Sequence, residues 1–448
     1  MLDRLYQEEI YNEIINSKTD DLVQLDTGGG KTRIEVHIAQ HYESSILLAH
    51  RNILIKQISE EVALLNLHHN TISTEHTRRQ CISAHKKLTG GSFIDRSNNS
   101  KIVASIQSLI SAHDRGTLTL DANAFWVIII DEAHHVTPDN MWGQIKKIFP
   151  NSRIVGFTAT PARMDGESLS KENRGMFDRL VQAPSLSGDS ARILIESGYL
   201  CAPRVYSAGI SRTKTSTDTL ASLNYSVQNV SLDKEEKNIK KRGLSLDYTT
   251  KKLHLSGSPV AEYKKYSYGE SAIMMAPTIN NAQLFSEDFK AAGIPAAHIH
   301  SMQSEREIFR TLSLFESGRI KVLVNVDMVG EGANIPACST LIIGTETASF
   351  PRFRQWCGRV MRPFPGKRYA TIIDLTGMCE LFGVPDEPVK WDLLNPPCGP
   401  SERKEAPCPS CGLYYNIKLR KCPECKHQNE IIQNVDNPLG WTTFDVSV

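Results

Sequence analysis

The chain has 448 residues, of which 40% are hydrophobic and 23% charged, and its 51 basic and 50 acidic side chains give a formal net charge of +1. This length predicts two or three domains, and the balanced charge excludes an overall basic field, so any nucleic-acid surface must be local. The longest apolar run, residues 124–130, is far shorter than the roughly 20 residues of a membrane span, and no hydrophobic signal region follows Met1. We therefore expect a cytoplasmic protein without a membrane segment.

A glycine-rich loop follows the first predicted helix, over 7–17, and the first predicted strand, over 22–25. The loop is Thr27-Gly28-Gly29-Gly30-Lys31-Thr32, and helical spacing resumes at Ile34. Glycines let backbone N–H groups approach an anion, and the helix N-terminus adds partial positive charge. Lys31 is then the candidate for the β and γ phosphates of a nucleotide, and Thr32 for Mg²⁺. The alternative is a glycine turn before a helix, because Leu25 stands where the strict pattern has glycine.

Further strands are predicted at 45–49, 101–105, 125–130 and 153–157, with helices between them. This alternation predicts a doubly wound α/β domain, whose ligands gather at the carboxyl ends of the strands. Asp131 and Glu132 directly follow a strand expected to be buried on both faces. Asp131 is a candidate for Mg²⁺ and Glu132 for polarising the water that attacks the γ-phosphorus. The alternatives are a solvated acidic turn and, for His134, a helix cap instead of a role near the nucleotide.

A second α/β pattern begins near Ser271. Its predicted strands lie at 273–276, 298–300, 320–326, 340–343 and 369–373, and its helices at 280–292 and 303–317. We predict lobes at 1–166 and 259–395, a connecting segment at 167–258, a cysteine-rich module at 400–430 and a tail at 431–448. The polar part of the connecting segment, 211–256, fits a solvated linker or a nucleic-acid contact equally well.

The order of these segments resembles the superfamily 2 helicases and translocases. Asp131-Glu132-Ala133-His134 is similar to their DEAH-type motif, and Thr158-Ala159-Thr160-Pro161 to their motif III. Ala49-His50-Arg51 resembles motif Ia of the branch with XPB-like helicases, UvsW-like enzymes and type III restriction translocases. Residues 4–7, 325–336 and 355–362 resemble the adenine-reading stretch, motif V and motif VI. The resemblance covers residues 4–377.

This resemblance implies two tandem RecA-like lobes with ATP in the cleft between them. Tyr6 and Gln7 would then read adenine, and Gly332 would lie near the nucleotide, although Gln7 also fits an ordinary helix start. Gln355, Arg359 and Arg362 have spacing that places them on one helix face, where the arginines can reach the γ-phosphate. The alternative is a basic surface helix. The candidates for contact with a nucleic-acid strand are His50, Arg51, Ser105 and Gln107.

Four of the ten cysteines form two matched pairs, Cys408-x-x-Cys411 and Cys422-x-x-Cys425. Such pairs are typical of a closed tetrahedral Zn²⁺ site, and the segment resembles a zinc ribbon. The six scattered cysteines fit reduced thiols better than a disulfide framework. A redox pair and an iron–sulfur cluster are the alternatives. Nearby basic and aromatic residues favour nucleic-acid contact, with protein docking as the other reading.

The sequence therefore predicts an ATP-dependent DNA helicase or translocase that uses ATP, Mg²⁺ and Zn²⁺. Its expected substrate is single-stranded, forked or branched DNA in replication, recombination or repair, with a protein partner docked through the ribbon. An RNA helicase and an ATP-clamped nucleic-acid adaptor are the alternatives. The sequence contains no separate nuclease motif.

Overall fold

The structure is a computed structural model that describes most of both predicted lobes. The described residues are 2–163, 167–207, 225–226, 252–253, 255–326, 338–397, 399–400, 405–408, 410–416, 419 and 421–428. Gly332 and most of the motif V candidate, most of the segment 211–256, and the tail 431–448 lie outside them. Among the described residues, no helix combines the length and apolar character that crossing a bilayer requires.

The first lobe is a sheet with helices on its faces. Its strands are β1 Asp21–Gln24, β2 Ser45–Ala49, β3 Asn70–Ile72, β4 Lys101–Ser105, β5 Val127–Ile130, β6 Arg153–Thr158 and β7 Arg179–Val181. Its helices are α1 Leu5–Asn16, α2 Lys31–His41, α3 Asn52–Leu64, α4 Glu75–Thr89, α5 Ile106–Asp114 and α6 Met141–Ile148, and short 3₁₀ turns lie at Ala133–His135, Lys171–Asn173 and Pro184–Leu186.

These seven strands are parallel, in the order β3-β4-β2-β5-β6-β1-β7. Strands β5, β6 and β1 are neighbours, so the segments that follow them lie side by side at one edge of the sheet. All four residues of β5 are buried, which confirms a strand covered on both faces. The predicted start at Phe125 was wrong, because a turn from Asp121 to Ala124 precedes it and the Phe125 side chain is 58% exposed.

The second lobe repeats this arrangement. Its strands are β8 Pro203–Ser207, β11 Ala272–Met275, β12 Ala296–His300, β13 Val322–Val326, β14 Thr340–Ile343 and β15 Ala370–Asp374. Two short antiparallel pairs are β9 Tyr225–Ser226 with β10 Lys252–Leu253, and β16 Glu405–Pro407 with β17 Tyr414–Asn416. The helices are α8 Pro259–Tyr266, α9 Ile279–Ala291, α10 Glu305–Glu316, α11 Phe350–Val360 and α12 Met378–Phe382, and α7 Ser190–Glu196 lies in the segment between β7 and β8.

Six of these strands form a parallel sheet in the order β12-β13-β11-β14-β15-β8. The segment between the two α/β patterns thus gives each lobe an edge strand, β7 to the first and β8 to the second. The lobes also share a buried apolar cluster that includes Leu25 of the first and Met361 of the second. Leu200 belongs to the same cluster, and the neighbouring Cys201 N–H donates to the Met361 carbonyl at 2.7 Å. This shared core fixes α11 against the glycine loop.

Candidate active site between the lobes

The glycine loop needs each of its three glycines. Gly28 and Gly30 have φ of +91° and +85°, a region that L side chains rarely adopt. A Cβ on Gly29 would lie 2.6 Å from Cγ of Leu25. Leu25 is fully buried, so the residue that broke the strict pattern is a core residue packed under the loop. At the start of α2, the Lys31 ammonium donates to the Leu25 carbonyl at 3.2 Å.

The N-terminal helix supports this loop from behind. The Tyr6 hydroxyl donates to the Gly29 carbonyl at 3.0 Å, and the Gln7 amide donates to the same oxygen at 3.3 Å. Arg4 donates to the Tyr6 hydroxyl at 2.6 Å and covers the Tyr199 ring at 3.9 Å. Tyr6 and Gln7 are buried, so the structure places both against the loop carbonyl. Their predicted reading of adenine stays a prediction.

The acidic pair lies where β5 ends. The Asp131 carboxylate accepts from the Glu132 N–H at 2.9 Å, and Glu132 has a left-handed backbone with φ of +53°. Burial raises the pKa of Asp131, and the charge of Glu132 raises it further. Burial would also raise the pKa of Glu132, but Lys31, His134 and Arg359 outweigh it and lower that pKa. Glu132 is therefore the carboxylate held ionised, as a group that polarises water requires.

A third carboxylate lies behind the pair and was missed by the sequence analysis. Glu35 is on α2, four residues after Lys31, and is fully buried. Neither of its oxygens has a hydrogen-bond partner among the described residues. Burial and the nearby charge of Asp131 raise its pKa well above the usual range, although Lys31 opposes them. The only available signal was its spacing, which places it on the same helix face as Lys31.

A cavity of about 350 Å³ brings the predicted catalytic residues of both lobes together. The first lobe contributes the loop, the acidic pair and α3, and the second lobe contributes α11. Its lining residues are Thr27, Gly28, Gly30, Lys31, Thr32, Leu54, Gln57, Glu60, Glu61, Asp131, Glu132, Gln355, Arg359 and Arg362. The four residues from α3 belong to none of the motifs that the sequence shows. Both proposed Mg²⁺ ligands, the Thr32 hydroxyl and the Asp131 carboxylate, line this cavity, so the donor set fits a hard cation that prefers oxygen.

Helix α11 contacts the first lobe directly. The Gln355 amide donates to Thr160 Oγ1 at 3.1 Å and contacts His134 Nε2 at 3.2 Å. The other ring nitrogen of His134 contacts Thr158 Oγ1 at 3.0 Å. His134 therefore lies between its own sheet and the second lobe, outside the residues that line the cavity. Gly358 packs on Thr27, where an added Cβ would lie 2.9 Å from Thr27 Cβ.

A second cavity, of about 440 Å³, contains all four predicted strand contacts. Arg51 and Ser105 are the N-cap residues of α3 and α5. The Arg51 guanidinium donates to the His50 ring at 3.2 Å, and the Gln107 amide donates to the His50 carbonyl at 3.2 Å. The first-lobe wall of this cavity is thus mostly polar, and it includes the N-cap residues of three helices, α3, α4 and α5.

The four paired cysteines converge, and all their sulfur atoms lie within 4.8 Å of one another. The Cys408–Cys425 and Cys411–Cys422 sulfur pairs are 3.6 Å and 3.7 Å apart. A tetrahedron with Zn–S bonds of about 2.3 Å has an edge of about 3.8 Å, so these residues fit Zn²⁺. The module is docked on the second lobe, since the Ser207 N–H of β8 donates to the Gly412 carbonyl at 3.0 Å. The Tyr266 hydroxyl also donates to the Cys411 carbonyl at 3.0 Å.

One cleft thus holds an anion-binding loop, a carboxylate pair and two arginines from the facing lobe. This arrangement is typical of two-lobed RecA-like ATPases. Residues 1–163 match the family described as type III restriction enzyme, res subunit, and residues 258–363 match the helicase conserved C-terminal domain. Each lobe of the chain therefore carries one domain of the superfamily 2 helicase type.

The chain is similar to several known proteins. The chain is 29% identical to the 51.5 kDa protein of a Lactococcus phage (isolate 7-9) over 68% of this chain and 62% of that protein. It is 24% identical to the putative ATP-dependent helicase IRC3 of Saccharomyces cerevisiae over 87% of this chain and 55% of that protein. The chain spans about half the length of the curated relatives it matches. S. cerevisiae Dbp5 bound to RNA and ADP BeF3 shares the fold, with a TM-score of 0.51 and 16% identity over 83% of this chain and 82% of that chain.

Proposed function

We propose that this chain is a DNA translocase or helicase of the branch with XPB-like, UvsW-like and type III restriction enzymes. The observation that carries the proposal is the pair of interlobe cavities. One joins Lys31 and the acidic pair to Arg359 and Arg362, and the other joins His50 and Arg51 to the second lobe. A nucleotide in the first cavity and a strand in the second would each contact both lobes, so hydrolysis in one can change the grip in the other.

The residues have distinct roles in this proposal. Lys31 and the loop N–H groups bind the phosphates, and Thr32 and Asp131 would hold Mg²⁺, which neutralises phosphate charge. Glu132 orients the attacking water, and its lowered pKa keeps it ionised at neutral pH. Arg359 and Arg362 approach the γ-phosphate from the second lobe. Gln355 links the second lobe to the first through its contacts with His134 and Thr160, which form when the lobes close.

DNA as the substrate rests on the motif resemblance and on the family matched by the first lobe. The polar wall formed by His50, Arg51, Ser105 and Gln107 would hold phosphates of a strand without reading its sequence. Such an activity suits unwinding or branch migration in replication, recombination or repair. We also assign Zn²⁺ to the four cysteines as a structural ion of a zinc ribbon, whose surface is available to a protein partner.

ATP turnover measured with single-stranded, duplex, forked and branched DNA and with RNA tests this function. We expect DNA to stimulate turnover strongly, and Lys31→Ala or Glu132→Gln to lower the stimulated rate about 100-fold or more, the scale of removing one key charge-stabilising group. Lys87→Ala changes an exposed lysine on α4 and serves as the matched control with an unchanged rate. Stronger stimulation by RNA than by any DNA would make the chain an RNA helicase. Tight strand binding with slow turnover that Glu132→Gln leaves unchanged would make it an adaptor.

Metal content tests the cysteine module separately. We expect about one zinc per chain in the purified protein and its loss in Cys408→Ser/Cys411→Ser. The scattered, buried Cys81 provides the control, since Cys81→Ser should leave the zinc content unchanged. Zinc retained by the double variant would refute the site.

A further inference from the structure

The cavity beside His50 and Arg51 has two walls of opposite character. The first-lobe wall carries Arg51 and the N-termini of α3 and α5. The second-lobe wall is apolar and consists of Ile299 at the end of β12 and Ile308, Phe309 and Leu312 on α10. Neither wall belongs to the nucleotide cavity, which has its own lining residues.

Helix α10 carries apolar side chains on two sides. Phe315 points into the lobe core and is 3% exposed, whereas Phe309 is 41% exposed. The helix start is held by a capping box, in which Ser304 and Glu307 bond each other's backbone N–H groups. Phe309 therefore lines the cavity from a helix whose N-terminus is held in place, and it is not part of the buried core of the lobe.

The two walls together define the chemistry of a ligand. It must carry anionic groups for the wall with Arg51 and flat apolar groups for the wall with Phe309. A single nucleic-acid strand has both, because its unpaired bases can stack on a side chain while its phosphates face the other wall. A duplex does not fit, because its bases face each other and only phosphates and groove edges are exposed.

We propose that Ile308, Phe309 and Leu312 form a base-stacking wall in the second lobe for single-stranded DNA. This inference rests on the proposed function. The phosphates of the same strand lie against Arg51 and the N-termini of α3 and α5. Phe309 stacks on a base and thereby attaches the strand to the second lobe, whereas the phosphate contacts attach it to the first. Stacking of this kind tolerates any base, so it adds grip without sequence preference.

The test measures binding of the full chain to a labelled single strand and to the same strand with abasic positions. We expect the wild-type protein to bind the normal strand about ten-fold more tightly than the abasic strand, within the range reported for base–aromatic stacking. Phe309→Ala should bind the normal strand about ten-fold more weakly and lose the discrimination between the two. Phe309→Tyr keeps the ring and should restore both. The matched control is Leu284→Ala, because Leu284 is 42% exposed on α9 of the same lobe and does not line the cavity.

Two outcomes separate this inference from the function on which it rests. If Phe309→Ala still prefers the normal strand over the abasic strand as the wild type does, the stacking wall is wrong, even where DNA stimulates turnover normally. If no nucleic acid stimulates ATP turnover by the wild-type chain, the proposed function fails and takes the stacking wall with it. Turnover without DNA should be unchanged in Leu284→Ala, since Leu284 lines neither cavity.

Discussion

Gly358→Ala should lower the rate of ATP turnover without lowering the stability of the protein. In α11 the change replaces a poor helix former by the best one, which by itself stabilises a helix by about 1 kcal/mol. The new Cβ would lie 2.9 Å from Thr27 Cβ, and ordinary contact begins at 3.4 Å, so α11 must withdraw by about 0.5 Å. Arg359 and Arg362 lie on the same segment and move with it. Because displacements on this scale disturb transition-state contacts, we expect the maximal ATP turnover rate to fall about ten-fold or more.

The assay pairs urea unfolding with ATP turnover at saturating nucleotide and DNA. Gly91→Ala is the control, because a Cβ on Gly91 meets nothing within 4 Å, and it should leave turnover unchanged. The expected result for Gly358→Ala is unchanged or raised stability with reduced turnover. Wild-type turnover in Gly358→Ala would show that the contact between Gly358 and Thr27 is not part of the catalytically closed state.

Three further changes test other contacts of the site. Glu35→Gln should raise the free energy of unfolding of the nucleotide-free protein at pH 8, because the amide carries no charge that burial disfavours, and should raise it less near pH 5. This pH dependence follows because the pKa of Glu35 is higher in the folded than in the unfolded protein, so the wild type loses stability as the pH rises above the unfolded pKa of about 4.3. Equal effects of the substitution on urea unfolding at both pH values would contradict this explanation. Gln355→Ala removes the link to His134 and Thr160 and should lower DNA-stimulated turnover about ten-fold with little change in global stability; a change confined to stability would count against a coupling role. Lys367→Met removes the ammonium that donates to the carbonyls of Cys338, Val360 and Arg362, and it should lower the free energy of unfolding in urea by about 3 kcal/mol. Wild-type stability of this variant would mean that water replaces the ammonium.

The sequence predicted most of the fold because its two lobes consist of apolar strands that alternate with helices. The strand at Val127–Ile130 was found from its continuous apolar run, and the loop at 27–32 from its glycines and lysine. Leu25 departs from the strict loop pattern, and that it packs under the loop does not follow from the pattern, since this depends on its contact with Gly29. Phe125 was placed in the strand because hydrophobicity alone does not indicate the turn that exposes it.

What the sequence did not predict depends on contacts between distant residues. An acidic residue in a helix is ordinarily solvated, so nothing marked Glu35 as buried beside Asp131. Phe309 fits a core position by composition, and only the packed structure shows that it faces the cavity with Arg51. The docking of the cysteine module joins Ser207 to Gly412, and no periodicity connects segments so far apart.

Helix α3 connects the two cavities physically. Asn52 and Ile53 line the cavity of about 440 Å³, and the very next residue, Leu54, lines the cavity of about 350 Å³ together with Gln57 and Glu60. With a rise of about 1.5 Å per residue, Asn52 and Glu60 are roughly 12 Å apart along one rigid element. Under the proposed function, a bound strand that shifts the N-terminus of α3 would therefore also shift side chains that line the proposed nucleotide site. Because α11 lines the smaller cavity and α10 lines the larger one from the second lobe, α3 is the first-lobe helix that faces both of them.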